Sequence, residues 1–199
     1  MLFCGLSAIF SYRLLDLPKP ITKPLHAFVH LCAAVFVIVG LWCVFLGNND
    51  TGHNTAHMYF ANLYSLHSFI GLAAVLVYFS NYLLGFVYFL SGVCAPASRA
   101  WYLPSHTFLG VFSVLLVFMA VETGIMDLFR ELGCDIAVDS ADTNPAENYS
   151  KLKEGCRVGN AAGILVLLTA LLAFFALYDF SPRTHNKAEG DYLLGNQRT

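Results

Sequence analysis

The sequence is short of charge. Its 199 residues hold 11 Lys and Arg and 13 Asp and Glu, 12% of the chain, about half the ~25% usual in soluble globular domains. With 57% hydrophobic residues, that scarcity excludes a water-soluble domain and makes the chain an integral membrane protein. The formal net charge of −2 argues against a nucleic-acid partner, which calls for a basic surface. The apolar runs lack the period-2 alternation of barrel strands, and lipid otherwise leaves only helices. The fold class is therefore an all-α membrane protein, a helical bundle. Low-complexity tracts and strong internal repeats are not evident. Met1–Leu15 has neither a basic n-region nor an A-x-A cleavage site, so it is not read as a signal peptide.

A transmembrane helix needs about 18 or more predominantly apolar residues. Four runs qualify: Leu25–Leu46, Leu63–Leu90, Thr107–Met126 and Val158–Tyr178. Met1–Leu15 is too short to cross alone and reads as the second half of a helix. One membrane domain, 1–180, is expected, followed by a disordered polar tail, 181–199.

Positive charge orients the spans. Arg13, Lys19 and Lys23 in the first connector, Arg99 in Ser91–Leu103, and Arg183, Lys187 and Arg198 in the tail share one side, assigned as cytoplasmic. The opposite connectors are neutral to acidic. They carry the N-x-S/T patterns at Asn49 and Asn148, each weak alone. Cys134 and Cys156 lie in one loop on that side, where a disulfide is plausible. Gly159 and Gly163 form a G-x-x-x-G on the last span, a weak signal for close helix contact.

Three histidines stand at span ends: His26 and His106 at the cytoplasmic end, His67 at the other. Ionisable residues inside membranes are costly and usually functional, and neutral imidazole ligates haem iron. His30 lies one turn from His26 on the same face. His26 or His30 can therefore face His106 across one haem plane, as bundle cofactor sites are built. For a single such histidine, a hydrogen bond between helices is the commoner explanation; three at alternating depth favour ligation. His53, His57 and His185 read as solvated, and Glu122 takes no role. Lys19, Lys23 and Arg99 can hold anionic oxygens, although ordinary topology explains any one of them.

The run Asn62-Leu63-Tyr64-Ser65-Leu66-His67-Ser68 resembles the N-L-Y-S-L-H-S-W signature of the eukaryotic cytochrome b-561 family, with Phe69 in place of the final tryptophan. Arg99 to His106, R-A-W-Y-L-P-S-H, resembles that family's R-x-x-x-x-P-x-H, and the 39-residue separation of His67 and His106 also matches. Lys23-Pro24-Leu25-His26 resembles its K-x-L-H, and Tyr12-Arg13 the Y-R that ends its second helix.

The resemblance implies six helices and two b-type haems (heme b). It implies an ascorbate-dependent oxidoreductase that moves electrons from cytosolic ascorbate to monodehydroascorbate or ferric iron across the bilayer. It makes His26, rather than His30, and His106 the ligands of the cytoplasmic haem, and His67 a ligand of the outer one. It assigns Lys19, Lys23 and Arg99 to ascorbate, Arg13 to the cofactor region and Tyr64 to the acceptor, and implies a homodimer. Secretory vesicle, lysosomal or endosomal, and plasma membranes all suit it. The family's first helix, and the H-P motif whose histidine partners His67, have no counterpart here, so one complete haem site and one half-site are expected. The stretch Asn48–Thr55 looks inserted. The competing readings are a truncated, redox-incompetent family member and a cofactor-free tetraspan scaffold.

Overall fold

A backbone in lipid finds no water to bond, so apolar runs satisfy their own N–H and C=O groups as helices. The computed structural model describes residues 1–15, 17–49, 62–134 and 152–178, and the described residues are helical with no strand. The order is α1 (Leu2–Leu14), α2 (Lys19–Asn49), α3 (Leu66–Gly85) running into a π-helical turn (Phe86–Leu90), α4 (Pro96–Leu132) and α5 (Glu154–Leu177). Four of these helices are long and apolar enough to cross a membrane, which with the composition makes a multi-pass integral membrane protein. The apolar α1 is shorter.

Several helices begin and end outside the apolar runs. α2 starts at Lys19 rather than Leu25, α4 spans Pro96–Leu132 rather than Thr107–Met126, and α5 starts at Glu154 rather than Val158. The stretches between the helices shrink accordingly, Ser91–Leu103 among them. A helix need not stop where hydrocarbon does: Pro96 suits the first turn of α4, and Gly133, left-handed at φ 60°, caps its end. Lys153 Nζ then donates to the Leu132 carbonyl at 2.6 Å, a cation against the helix's negative end. His106 consequently sits well inside α4 rather than at its start, whereas His67 is the second residue of α3, after an N-cap in which Ser65 Oγ accepts from Ser68 N–H.

Pro24 and Pro104 are interior to α2 and α4. Each removes a backbone donor and frees the carbonyl four residues back, and each precedes a histidine by two residues.

The packing runs α1 on α2, α3 on α4, and α5 on α4, with a lighter contact between α2 and α3. Leu6, Val114, Phe118 and Ala173 bury one apolar layer among α1, α4 and α5. Ala33, Ala34 and Tyr78 bury another between α2 and α3. The G-x-x-x-G of α5 does make a close contact: a Cβ on Gly159 would collide with the Phe129 ring of α4, and one on Gly163 would stand 3.3 Å from Glu122 Oε2. Cys134 and Cys156 are disulfide-bonded, joining the end of α4 to the start of α5. The histidines His53 and His57, the N-x-S/T pattern at Asn148, the last two residues of that at Asn49 and the 181–199 tail lie outside the described residues.

Candidate functional site: two histidine layers in one bundle

Each of the three histidines has one ring nitrogen committed. His26 Nδ1 lies 2.8 Å from the Ala8 carbonyl of α1, and His67 Nδ1 lies 2.7 Å from the Ala120 carbonyl of α4. A carbonyl only accepts, so in both rings Nδ1 carries a proton, and in the neutral tautomer this selects, Nε2 keeps the lone pair. His106 Nδ1 lies 2.9 Å from Asn81 Oδ1 of α3, while Asn81 Nδ2 donates back to the His106 carbonyl at 3.2 Å. The amide orientation makes Nδ1 the donor here too. All three rings thus present Nε2, the atom a metal takes when Nδ1–H is held by an outer partner.

Two glycines shape these ring sites. A Cβ on Gly85 would stand 2.7 Å from His106 Cε1, and one on Gly124 would stand 3.0 Å from His67 Cε1. So α3 holds His67 and makes room for His106, while α4 holds His106 and makes room for His67. Along α4, His106 and Gly124 are 18 residues apart, roughly 27 Å at 1.5 Å per residue, so the layers stand near opposite faces of a ~30 Å hydrocarbon core.

The layer at the Lys19/Arg99 end has two histidines from different helices. His26 and His106 lie within electrostatic range of each other. Tyr12 meets His26 edge-on at 5.3 Å, and Phe89 lies 5.1 Å from His106. His30 packs edge-on to His26 at 4.5 Å; its Nδ1 lies 3.2 Å from Tyr78 Oη, whose hydroxyl donates to the His30 carbonyl at 2.7 Å.

At that same end, Lys19 precedes His26 by seven residues and Arg99 precedes His106 by seven. Seven residues are nearly two turns, so each cation lies on its histidine's face, about 10 Å closer to the end. Lys23 is half-buried between Lys19 and His26. Arg99 Nε donates to the Cys94 carbonyl at 2.9 Å. The side chain of Arg13 lies outside the described part of the structure. At the opposite end, Tyr64 is half exposed, with the Arg130 guanidinium 6.0 Å from its ring centroid.

A sequence profile described as eukaryotic cytochrome b561 matches residues 1–130. The chain belongs to the eukaryotic cytochrome b561 family. It is 35% identical over 161 residues to the lysosomal membrane ascorbate-dependent ferrireductase of Homo sapiens, covering 80% of this chain and 60% of that protein. It is 30% identical over 179 residues to the transmembrane ascorbate-dependent reductase of Ovis aries, covering 89% and 62%. A probable ascorbate-specific transmembrane electron transporter of Oryza sativa subsp. japonica is 35% identical over 124 residues, covering 62% and 50%. The chain therefore spans about half to three-fifths of the length of these curated relatives.

Membership in the cytochrome b561 family implies haem b, and the donor chemistry of this chain fits that group. Three imidazoles have their Nδ1 protons held, and two sit against glycines that leave space for the ring. In the basic-end layer a histidine from each of two helices is available. In the other layer, no histidine facing His67 lies among the described residues.

Asn81, Gly85 and Gly124 belong to none of the motifs in the sequence, and Tyr102 fills an unspecified position of one, yet a repeat marks most of them. Residues 67–85 and 106–124 align without gaps at an offset of 39 and are identical at seven of nineteen positions: His67/His106, Phe69/Phe108, Gly71/Gly110, Val75/Val114, Leu76/Leu115, Phe79/Phe118 and Gly85/Gly124. The Nδ1 partners, Asn81 and Ala120, are also 39 apart. An internal repeat is present after all, between two antiparallel neighbours.

Proposed function

We propose that this chain carries electrons across a membrane from ascorbate, through haem b, to an acceptor on the far side. The observation that supports this best is the basic-end layer: two inward histidines with Nδ1 protons committed, above Lys19, Lys23 and Arg99. In this reading His26 and His106 ligate the inner haem, and His67 ligates the outer one. His26 is preferred to His30 because its Nδ1 donates to a backbone carbonyl, as that of His67 does, and because it occupies the K-x-L-H position.

Held by these imidazoles, haem b would supply one-electron exchange between its ferric and ferrous states. The chain's own residues do the rest. Lys19, Lys23 and Arg99 raise the local concentration of the ascorbate anion and orient it. Ala8, Asn81 and Ala120 hold the histidine protons. The apolar layers around Phe118 and Ala33 exclude water between the two histidine levels. Tyr64, beside Arg130, stands where an acceptor arrives, and Arg13 belongs with the inner cofactor region. The acceptor is monodehydroascorbate or ferric iron. Residues 1–180 form the membrane domain, the basic end faces the cytoplasm with the 181–199 tail, and the disulfide faces the other compartment. A secretory, lysosomal or plasma membrane would suit this arrangement, as would a homodimer.

The test is a visible spectrum of the purified chain, supplied with haem, before and after ascorbate. Reducible b-type bands are expected, and His106→Ala should remove the inner component. An unchanged haem-to-protein ratio in His106→Ala would sink the assignment, and absence of reducible bands in the parent protein would favour a cofactor-free scaffold.

A further inference from the structure

The two histidine layers are built from repeated positions, yet they differ at one of them. At the His67 level the Nδ1 proton goes to a backbone carbonyl, that of Ala120. At the equivalent place in the His106 level it goes to a side chain, that of Asn81. Asn81 is 7% exposed in the middle of apolar helices, and polar groups at such depth are expensive unless fully engaged. Asn81 is engaged at both ends. Its Nδ2 donates to the His106 carbonyl at 3.2 Å. Its Oδ1 accepts from His106 Nδ1 at 2.9 Å and from the buried Tyr102 hydroxyl at 3.3 Å. Tyr102 is held in turn by stacking on Tyr88 at 4.4 Å.

We propose that Asn81 is the positioning residue of the inner centre: it fixes the His106 ring and tautomer, and through the strength of its Oδ1 it sets that centre's reduction potential. This rests on the reading of His106 as a haem ligand. A ligand histidine that donates Nδ1–H to a better acceptor becomes more basic, and a more basic ligand favours the ferric over the ferrous state. Hydrogen bonding to an axial ligand is one of the protein's levers on haem potential. Oδ1 is shared between two donors, so the Tyr102 hydroxyl weakens its hold on His106. At the outer level the Ala120 carbonyl is also shared, with the Thr123 hydroxyl at 3.1 Å, but there the acceptor is backbone; at the inner level the acceptor itself is a side chain.

The test is redox titration of the full chain with haem bound, following the component that His106→Ala removes. Asn81→Ala takes away the acceptor and should raise that component's midpoint. Tyr102→Phe frees Oδ1 for His106 and should lower it, with haem content kept. Any second haem component should keep its potential in both variants. Shifts of the same sign in both variants, or none in Tyr102→Phe, overturn the proposal, because a merely structural role has no reason to reverse sign. Should Asn81→Ala retain no haem, the Tyr102→Phe shift decides alone. If the parent protein binds no reducible haem, the ligand reading itself has failed, an outcome distinct from an unmoved potential.

Discussion

Replacing Gly85 with alanine tests whether the His106 site is shaped as tightly as its geometry indicates. A Cβ at Gly85 would stand 2.7 Å from His106 Cε1 and 3.1 Å from Nδ1. Carbon atoms pack at about 3.5–4.0 Å, so the ring must retreat by roughly 1 Å. That motion stretches the 2.9 Å bond to Asn81 beyond the ~2.7–3.2 Å range of a good N–H···O bond. Overpacking costs about 1–3 kcal/mol and the lost hydrogen bond about 0.5–1.5 kcal/mol. Alanine's better helix propensity offsets about 1 kcal/mol. The net loss is about 2 kcal/mol in the stability of that site, and the displaced His106 ring should hold haem more weakly. The assay is the haem-to-protein ratio over a haem titration, with Gly71→Ala as the control. Gly71 lies on the same helix, and a methyl added there would meet nothing within 4 Å. If Gly85→Ala and Gly71→Ala retain haem equally, the glycine does not shape the site.

Gly124→Ala should weaken the His67 level by less, because its 3.0 Å approach to His67 Cε1 asks for a smaller shift; a larger loss than in Gly85→Ala would contradict the packing. Replacing Lys23 and Arg99 with glutamine should raise the ascorbate concentration needed for half-maximal reduction and flatten its dependence on salt, at constant haem content; an unchanged dependence would remove them from the substrate site. Glu122 Oε1 is buried with no hydrogen-bond partner among the described residues, and such an orphan costs about 1–3 kcal/mol, so Glu122→Met should raise the thermal unfolding temperature in detergent; a fall would mean that the carboxyl is engaged. Gly159→Leu should push α5 off Phe129 and lower that temperature, and an unaltered value would contradict the close α4–α5 contact.

The membrane class, the four long helices and the histidine levels were legible in the sequence, because hydrocarbon imposes apolar length and makes any histidine within it conspicuous. Helix ends were less legible. Hydropathy reports where lipid stops, and α4 continues past lipid at both ends, through Ser98 and Arg99 on one side and Arg130 and Glu131 on the other. Pro24 and Pro104 are of a residue type that usually breaks helices in water. Here they lie within α2 and α4, one turn or more inside the start of each helix. The disulfide was undecided in the sequence because two cysteines in one loop do not fix a distance; the ends of α4 and α5, packed together, bring their Cα atoms to 5.9 Å.

Asn81, Gly85 and Gly124 were hidden for a different reason. An asparagine in an apolar helix and two glycines among fifteen carry no signal singly; their meaning lies in what stands opposite. Two antiparallel neighbours with the same pattern place the histidine of each near the glycine end of the other. A single 19-residue pattern, used twice at an offset of 39, therefore builds two ring sites at opposite faces of a bilayer. The repeat also explains why the sites need not be equal. Backbone carbonyls are common to both copies, so the difference between the levels has to come from side chains, and at the Nδ1 partner position it falls on Asn81 in one copy and Ala120 in the other. An Asn81→Ala chain would make the two copies alike at this position while leaving His106 without the amide. The geometry at His67 shows what full compensation would require: the carbonyl at residue 81 would have to turn toward His106 as that of Ala120 turns toward His67, at 2.7 Å.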